Sequence, residues 1–408
     1  MLRSLFSGIS SLRSHQTMLD VTGNNIANVN TTGYKAARTQ FEDTLSQVIQ
    51  NAGAPQAGQG GTNPAQVGLG VQVSAITNDF TDGATQQTGR ALDMKITGDG
   101  FFIVNNGTEQ LYTRAGAFTL DALGQLTTAS GALVQGWSAV NGVIDTAAGL
   151  GPIRLPVSTT MGATATQNVV FSGNMPSDLS HDDPNTVAVE PTILTRAIDV
   201  YDAAGNSRSL ELVFTKTVPP TVAGAASEWA ISTTDSTGAA ITGTIAFGGD
   251  GALVSAVLPA VDGVNVTFAE LTGYAKLTTV EAASQDGKGA GTLQSFSMNA
   301  DGTLIGSFSN GFKEPVGQIA LANFANAAGL EKAGGTAFRS TVNSGDAQVG
   351  VGGTGGRGAL TSRALEMSNV DLSQEFTNLI IAQRGFQAGS RVITTSDELL
   401  QELVNLKR

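Results

Sequence analysis

Side chains able to do chemistry are scarce in this sequence. Among 408 residues there are two histidines, His15 and His181, and no cysteine. Thiol catalysis, disulfides and Cys/His zinc sites are thereby excluded, and only carboxylate-centred metal or acid–base chemistry is left. The one grouping of that kind, His181-Asp182-Asp183-Pro184, reads as a solvated polar turn, because the distal Glu of an ion-binding loop is missing. Gly353, Gly355 and Gly358 satisfy a G-x-G-x-x-G spacing, yet no convincing strand precedes them and no βαβ unit contains them. His15 falls on the polar side of a helical seam and reads as a surface or interface residue. No catalytic residue, metal or cofactor is expected.

Charge and hydropathy narrow the partners. Twenty-two basic against 34 acidic residues give a net charge of −12, which disfavours capture of a phosphate backbone, so nucleic acid is not an expected partner. No run approaches the ~18 apolar residues of a membrane-spanning helix, so no membrane insertion is expected. Residues 4–12 faintly resemble a secretory apolar segment, but Arg13 and His15 interrupt it and no small-residue cleavage site follows. Departure from the cytoplasm would need a route without a cleaved signal.

The elements that must position any site divide by proline. All 11 prolines lie between Pro55 and Pro315, leaving both ends free to be helical. The middle carries Asp-Gly and Asn-Gly pairs, among them Asp99-Gly100, Asn106-Gly107, Asp262-Gly263 and Asp301-Gly302, which suit tight hairpin turns. Between them lie strand-like runs such as Phe101-Phe102-Ile103-Val104, Leu210–Phe214 and Gln318–Leu321, an antiparallel pattern without long intervening helices. Residues 140–290 hold 6 basic and 15 acidic residues and read as an inserted outer domain. Residues 51–72 and 350–358 read as Gly-rich linkers. The expected fold class is multidomain α+β: terminal α-helices forming a coiled-coil-like inner layer plus two mainly antiparallel β domains. The expected boundaries are 1–30 with 368–408 (helical), 31–72 with 350–367 (extended linker), 73–142 with 288–349 (inner β) and 143–287 (outer β).

Heptads mark both ends. Leu5, Leu12, Leu19 and Ile26 recur every seven residues, with Leu2 and Ile9 three positions before the first two. Leu372, Leu379, Phe386, Ile393 and Leu400 repeat at the same interval. Three positions after these come Glu375, Ala382, Gly389, Ser396 and Leu403, small enough in the middle for another helix to approach closely. The natural partner of each terminal helix is the other or further copies, and because an isolated helix is marginal in water the termini are expected to order on self-assembly. The segment Gly23–Lys35 closes the first helix, with Gly33 suited to a left-handed stop. It holds four asparagines between Asn24 and Asn30, more than one cap requires. A helix cap and an inter-subunit hydrogen-bonding surface both remain open.

These residues resemble the bacterial flagellar axial proteins, the family of rod, hook and hook-junction subunits. Asn24-Asn25-Ile26-Ala27-Asn28-Val29-Asn30-Thr31-Thr32-Gly33-Tyr34-Lys35 is similar to that family's N-terminal signature. Ser368–Leu372 and Leu379–Ala388 resemble its terminal helix. Gly98–Val104, Tyr112–Asp121 and Gln135-Gly136-Trp137 resemble its first β domain. Within the family, Gln318–Phe324 following an inserted acidic domain is similar to hook subunits, although residues 51–66 lengthen the first linker. The resemblance implies a non-enzymatic subunit that polymerises with itself into a flexible curved tube, a universal joint passing torque from rod to filament. It further implies type III export without a cleaved signal peptide, an extracellular location at the hook, and contacts with the distal rod protein, hook cap, first hook–filament junction protein and hook-length ruler. Residues expected to carry self-assembly are Leu5, Ile9, Leu12, Leu19, Asn24, Asn25, Ile26, Asn28, Asn30, Gly33, Tyr34, Leu372, Phe376, Leu379, Phe386, Ile393 and Leu400. A distal rod or junction subunit is the nearest rival. A secreted β-rich adhesin is the rival from another class, disfavoured because Trp137 and Trp229 are the only tryptophans and sit in strand-like contexts, where burial is commoner.

Overall fold

The computed structural model describes residues 2–55, 60–140, 142–156, 160–177, 192–217 and 220–406; His181 and its acidic turn lie outside them. Contacts divide the chain into two units, residues 1–155, 296–306 and 313–408 in the first and residues 156–295 and 307–312 in the second.

In the first unit the two proline-free ends are helical, α1 (Leu2–Ala27) and α2 (Leu372–Leu406). Asp371 caps α2: its Oδ1 accepts the amide hydrogens of Ser373 at 2.8 Å and Gln374 at 3.3 Å, filling two of the donors a helix start leaves free. The two helices pair within one chain, so order there does not wait for a second copy.

The segment expected as a linker after α1 is instead a β ribbon. Strand β1 (Ala37–Asp43) pairs antiparallel with β4 (Val71–Asn78), and the ribbon continues as β2 (Ser46–Gln50) against β3 (Ala65–Gly68). The Gly/Gln composition hid a period-2 pattern: along β4 half-buried and exposed residues alternate from Val71 to Ile76. Its inner face lies on α1, where Ser14 Oγ donates to the Val71 carbonyl and Ser10 Oγ accepts from the Val71 amide. The first helix therefore has a β neighbour.

Residues 350–358 are likewise no linker. Gly350 pairs with Leu321 in the sheet, and the loop beyond wraps Arg357, whose Nε donates to the Val351 carbonyl at 3.1 Å and whose Nη2 donates to Thr354 Oγ1 at 3.1 Å. The guanidinium packs over Gly350, where an added Cβ would lie 2.2 Å from it. The β body of this unit is organised on the strand Phe101–Asn105, flanked by Gln110–Thr113, Leu133–Val140 and Leu321–Asn323. Phe102 and Val104 enter one core with Phe118, Val134 and Ile319, while Phe101 and Ile103 enter another with Tyr112, Trp137 and Phe338. Burial on both faces is what a continuous apolar run demands.

The second unit holds a five-stranded antiparallel sheet, Ile193–Tyr201, Ser207–Thr217, Ser227–Thr234, Ala240–Phe247 and Leu253–Val257 in sequential order. A second sheet places Asn168–Asn174 between Asn265–Thr272, which runs parallel to it, and Glu281–Gln285, antiparallel. Phe171, Phe214, Trp229, Phe247 and Phe268 fill the shared core. Both tryptophans are buried, leaving neither for an adhesive surface. Asp262 and Gly263 adopt φ of 51° and 82° between the bridged Val261 and Val264, the doubly left-handed turn that an Asp-Gly pair favours.

Glu228 in this unit is buried, and its carboxylate accepts from the Thr221 and Val222 amides and the Thr221 hydroxyl. Burial pushes its pKa up, but these donors outweigh it and hold the pKa below the usual carboxylate value. A depressed folded pKa contributes stability above the unfolded pKa of ~4.3 that is lost as pH falls through the folded value. Trp229 fluorescence in a Trp137→Phe background is therefore expected to report acid destabilisation below about pH 4, with a flatter pH dependence and a lower neutral-pH melting temperature in Glu228→Gln. Equal acid sensitivity of the two proteins would remove Glu228 as the cause.

Candidate assembly surface and its buried polar collar

The helix pair is antiparallel and joined by its small residues. Ser4 and Ser396 hydroxyls meet at 3.3 Å near one end, and Asn25 Nδ2 donates to Glu375 Oε1 at 3.0 Å near the other. Between them a Cβ added at Gly8 would lie 3.3 Å from the Gly389 carbonyl oxygen, and one added at Gly385 only 2.4 Å from His15 Nε2. Along α2 the buried positions are Glu375, Ala382, Gly389 and Ser396, a seven-residue repeat offset by three from the large anchors. The close approach expected from those small residues is realised within the chain.

The large anchors flank that seam instead of forming it. Leu5, Ile9, Leu12, Leu19 and Ile26 on α1, and Leu379, Ile393 and Leu400 on α2, are half-buried; Leu372, Phe376 and Phe386 are exposed. At ~100° per residue, Leu372, Phe376, Leu379 and Ile380 fall on one side of the α2 seam, and Ile381, Val392, Leu399 and Leu406 on the other. The second flank was missed because its spacing begins with an eleven-residue step and so breaks the heptad. Ile380, Ile381, Val392 and Leu399 are all exposed.

At the other end of the pair the asparagine-rich segment turns inward. Asn25 is fully buried and makes its full complement of hydrogen bonds: Nδ2 donates to the Ala37 carbonyl at 2.8 Å and to Glu375 Oε1, while Oδ1 accepts from Tyr34 Oη at 3.1 Å and the Ala37 amide at 3.0 Å. Asn24 Nδ2 donates to Tyr34 Oη, and Asn28 bonds back to Asn24. Burial, then the charge of Glu375, pushes the Tyr34 phenol up, keeping its proton for Asn25. Gly33 sits at φ 69° with no room for a Cβ, since one would lie 2.5 Å from the Ala115 amide nitrogen. Asn25, Gly33 and Tyr34 are therefore engaged inside the chain. Their spacing looked like a surface because polar residues are usually exposed; here each polar atom is matched internally. Asn24 and Asn30 remain exposed and Asn28 half-buried.

Next to this segment lies a buried ionic cluster that sequence reading did not assign to the site. Lys35 Nζ donates to Glu366 Oε1 at 2.7 Å and to the Thr81 carbonyl at 2.6 Å. Glu366 Oε1 also accepts the Gly83 amide at 2.9 Å, and its Oε2 faces Arg114 Nη1 at 3.5 Å. Arg114 reaches Asp82 Oδ1 at 3.2 Å and lies over the Phe101 ring. Burial lowers the Lys35 pKa, while the adjoining Glu366 pulls it upward. Lys35, Arg114 and Glu366 are each at most 1% exposed in the side chain. Asn369 completes this collar, accepting the Ala36 amide at 2.8 Å and donating to the Asp79 carbonyl at 2.8 Å. One signal was available: in the strand Ala364–Glu366 the charged residue shares the buried face with Ala364.

Segments 6–35, 95–172 and 361–406 match family models described respectively as Flagella basal body rod protein, Flagellar hook protein FlgE/F/G D1 domain and Flagellar basal body rod FlgEFG protein C-terminal. The first and last of these hold the two helices and most of the collar. The Flagellar hook protein FlgE of Borreliella burgdorferi is 39% identical over the whole of both chains. The chain belongs to the flagellar hook protein family. The FlgE of Treponema pallidum is 37% identical, again over all of both chains, and the Flagellar basal-body rod protein FlgG of Bacillus subtilis 34% over all of both. The crystal structure of the Helicobacter pylori flagellar hook protein FlgE2 shares the fold, with a TM-score of 0.53 at 15% identity over 69% of this chain and all of that one. This hook-family chain is a structural subunit of the flagellar hook, an axial component that polymerises with itself.

Proposed function

We propose that this hook subunit assembles through the two apolar flanks of α2 into a flexible curved tube, the universal joint that passes torque from rod to filament. The observation that supports it is the division of labour along α2. Pairing with α1 consumes the small seam, yet Phe376, Ile380, Ile381, Val392 and Leu399 stay between 43% and 56% exposed on its two sides. Full burial of such a side chain gains roughly 1.5 to 3 kcal/mol, of which about half is still to be gained at each of these positions, and this favours a neighbouring copy on each flank. Of the residues expected to carry assembly, Leu372, Phe376, Leu379, Phe386, Ile393 and Leu400 lie on the first of these flanks, while Leu5, Ile9, Leu12, Leu19 and Ile26 lie half-buried on α1. Axial contacts with the distal rod protein, hook cap, first junction protein and hook-length ruler, and type III export, follow from the family resemblance.

A pair of charges on one flank tests the reading. Ile381→Glu with Leu399→Glu is expected to leave helical circular dichroism unchanged, because both side chains are exposed on the flank beside the α1 seam. Negative-stain electron microscopy should then show tubes from the unsubstituted protein and dispersed subunits from the double variant. Tubes from both would place assembly elsewhere, and dispersed subunits from both under seeding would refute polymerisation through these helices.

A further inference from the structure

We propose that Glu366 clamps the helix pair to the β body of its unit, making the collar a stiff joint that passes load without bending; this rests on the reading of the chain as a polymerising hook subunit. Two stretches of chain lead from the helices, residues 28–36 after α1 and residues 367–371 before α2. The second begins directly after Glu366. The first is tied to Glu366 twice, by the Gly33 amide donating to its carbonyl at 2.8 Å and by the Lys35 ammonium on its carboxylate. A third stretch joins at the same residue, through the Gly83 amide on the carboxylate and the Met367 amide donating to the Ala84 carbonyl at 2.9 Å. Arg114 Nη1, on the β body, faces the remaining oxygen at 3.5 Å as an ion pair without a hydrogen bond.

The packing leaves these stretches no slack. At Gly83 a Cβ would lie only 1.9 Å from the Met367 carbonyl oxygen. Buried ion pairs contribute little net stability compared with apolar packing, and their attested use is to select one geometry among several. One geometry is what a load path needs, and it explains why a carboxylate with two cationic partners stands where aliphatic side chains would fill the space.

The test compares tubes of the unsubstituted protein with tubes of Glu366→Ala and Glu366→Gln. Bending persistence length is measured from micrographs, and hydrogen exchange is followed at Gly83, whose amide uses the side chain, and at Gly33, whose amide uses only the backbone carbonyl. In Glu366→Ala, Gly83 is expected to lose protection while Gly33 keeps it, and persistence length to fall several-fold; Glu366→Gln, which retains an acceptor for Gly83, should fall between. Unchanged stiffness with Gly83 deprotected overturns the proposal, as does full protection of Gly83 in Glu366→Ala. Should Glu366→Ala not fold, tubes of Glu366→Gln as stiff as the parent overturn it alone. Absence of tubes from the unsubstituted protein would instead refute the polymer reading.

Discussion

Gly33→Ala is expected to unfasten the collar, with a loss of about 3 kcal/mol or more. Two costs combine. A left-handed backbone costs an L-residue roughly 1 to 2 kcal/mol, and overpacking adds typically 1 to 3 kcal/mol where the obstructing atoms cannot yield. They cannot yield here, because the added carbon meets the backbone of Arg114 and Ala115 within 2.5 to 2.8 Å. The paired control is Gly23→Ala in α1, where nothing lies within 4 Å and the better helix former should be neutral or stabilising by up to about 1 kcal/mol. Hydrogen exchange of the Ala37 amide, which bonds Asn25, reads the collar directly, whereas a single melting temperature would average two units. If Gly33→Ala exchanges and melts like its parent, the positive φ at that position is not a requirement of the fold.

The second large effect is expected at Lys35. Removing the ammonium by Lys35→Met leaves the Glu366 carboxylate buried with the Gly83 amide and a guanidinium at 3.5 Å, and breaking a buried pair in this way costs about 3 to 5 kcal/mol. Much of that is the penalty of an abandoned charge, so the double substitution Lys35→Met with Glu366→Leu should recover part of it, Arg114 keeping only Asp82 and the Gly83 amide losing its acceptor. Thermal unfolding followed alongside collar hydrogen exchange gives the cycle. Additive losses in the double variant would show that the two residues act independently despite the 2.7 Å contact.

How much of this was readable in advance follows from the range of each interaction. The helices were legible because their determinants are local: no proline, a repeat every seven residues, and Asp371 one residue before Leu372. The Asp262-Gly263 turn was legible for the same reason, since two adjacent residues supply its geometry. The buried strand at Phe101–Val104 announced itself by an unbroken apolar run. Even the close helix approach was visible in Ala382, Gly389 and Ser396, because a missing side chain is a property of the sequence.

Tertiary structure decided what the sequence left ambiguous. A heptad shows that large residues share a side, but only packing shows that the small residues offset by three face α1 while the large ones flank that seam, half-buried or exposed. Composition made residues 51–72 and 350–358 look like tethers, whereas cross-strand pairing of residues 65–68 and 71–72, and the Arg357 loop, give those parts fixed places. The asparagines from Asn24 to Asn30 suggested a surface, and Asn25 was turned inward by partners at Ala37 and Glu375. The collar was hidden most completely, because Lys35 and Glu366 stand 331 residues apart. The chain determined by itself which segments form helices and where it turns; which polar groups meet inside, and which apolar ones stay uncovered, depended on contacts between segments that no local pattern encodes.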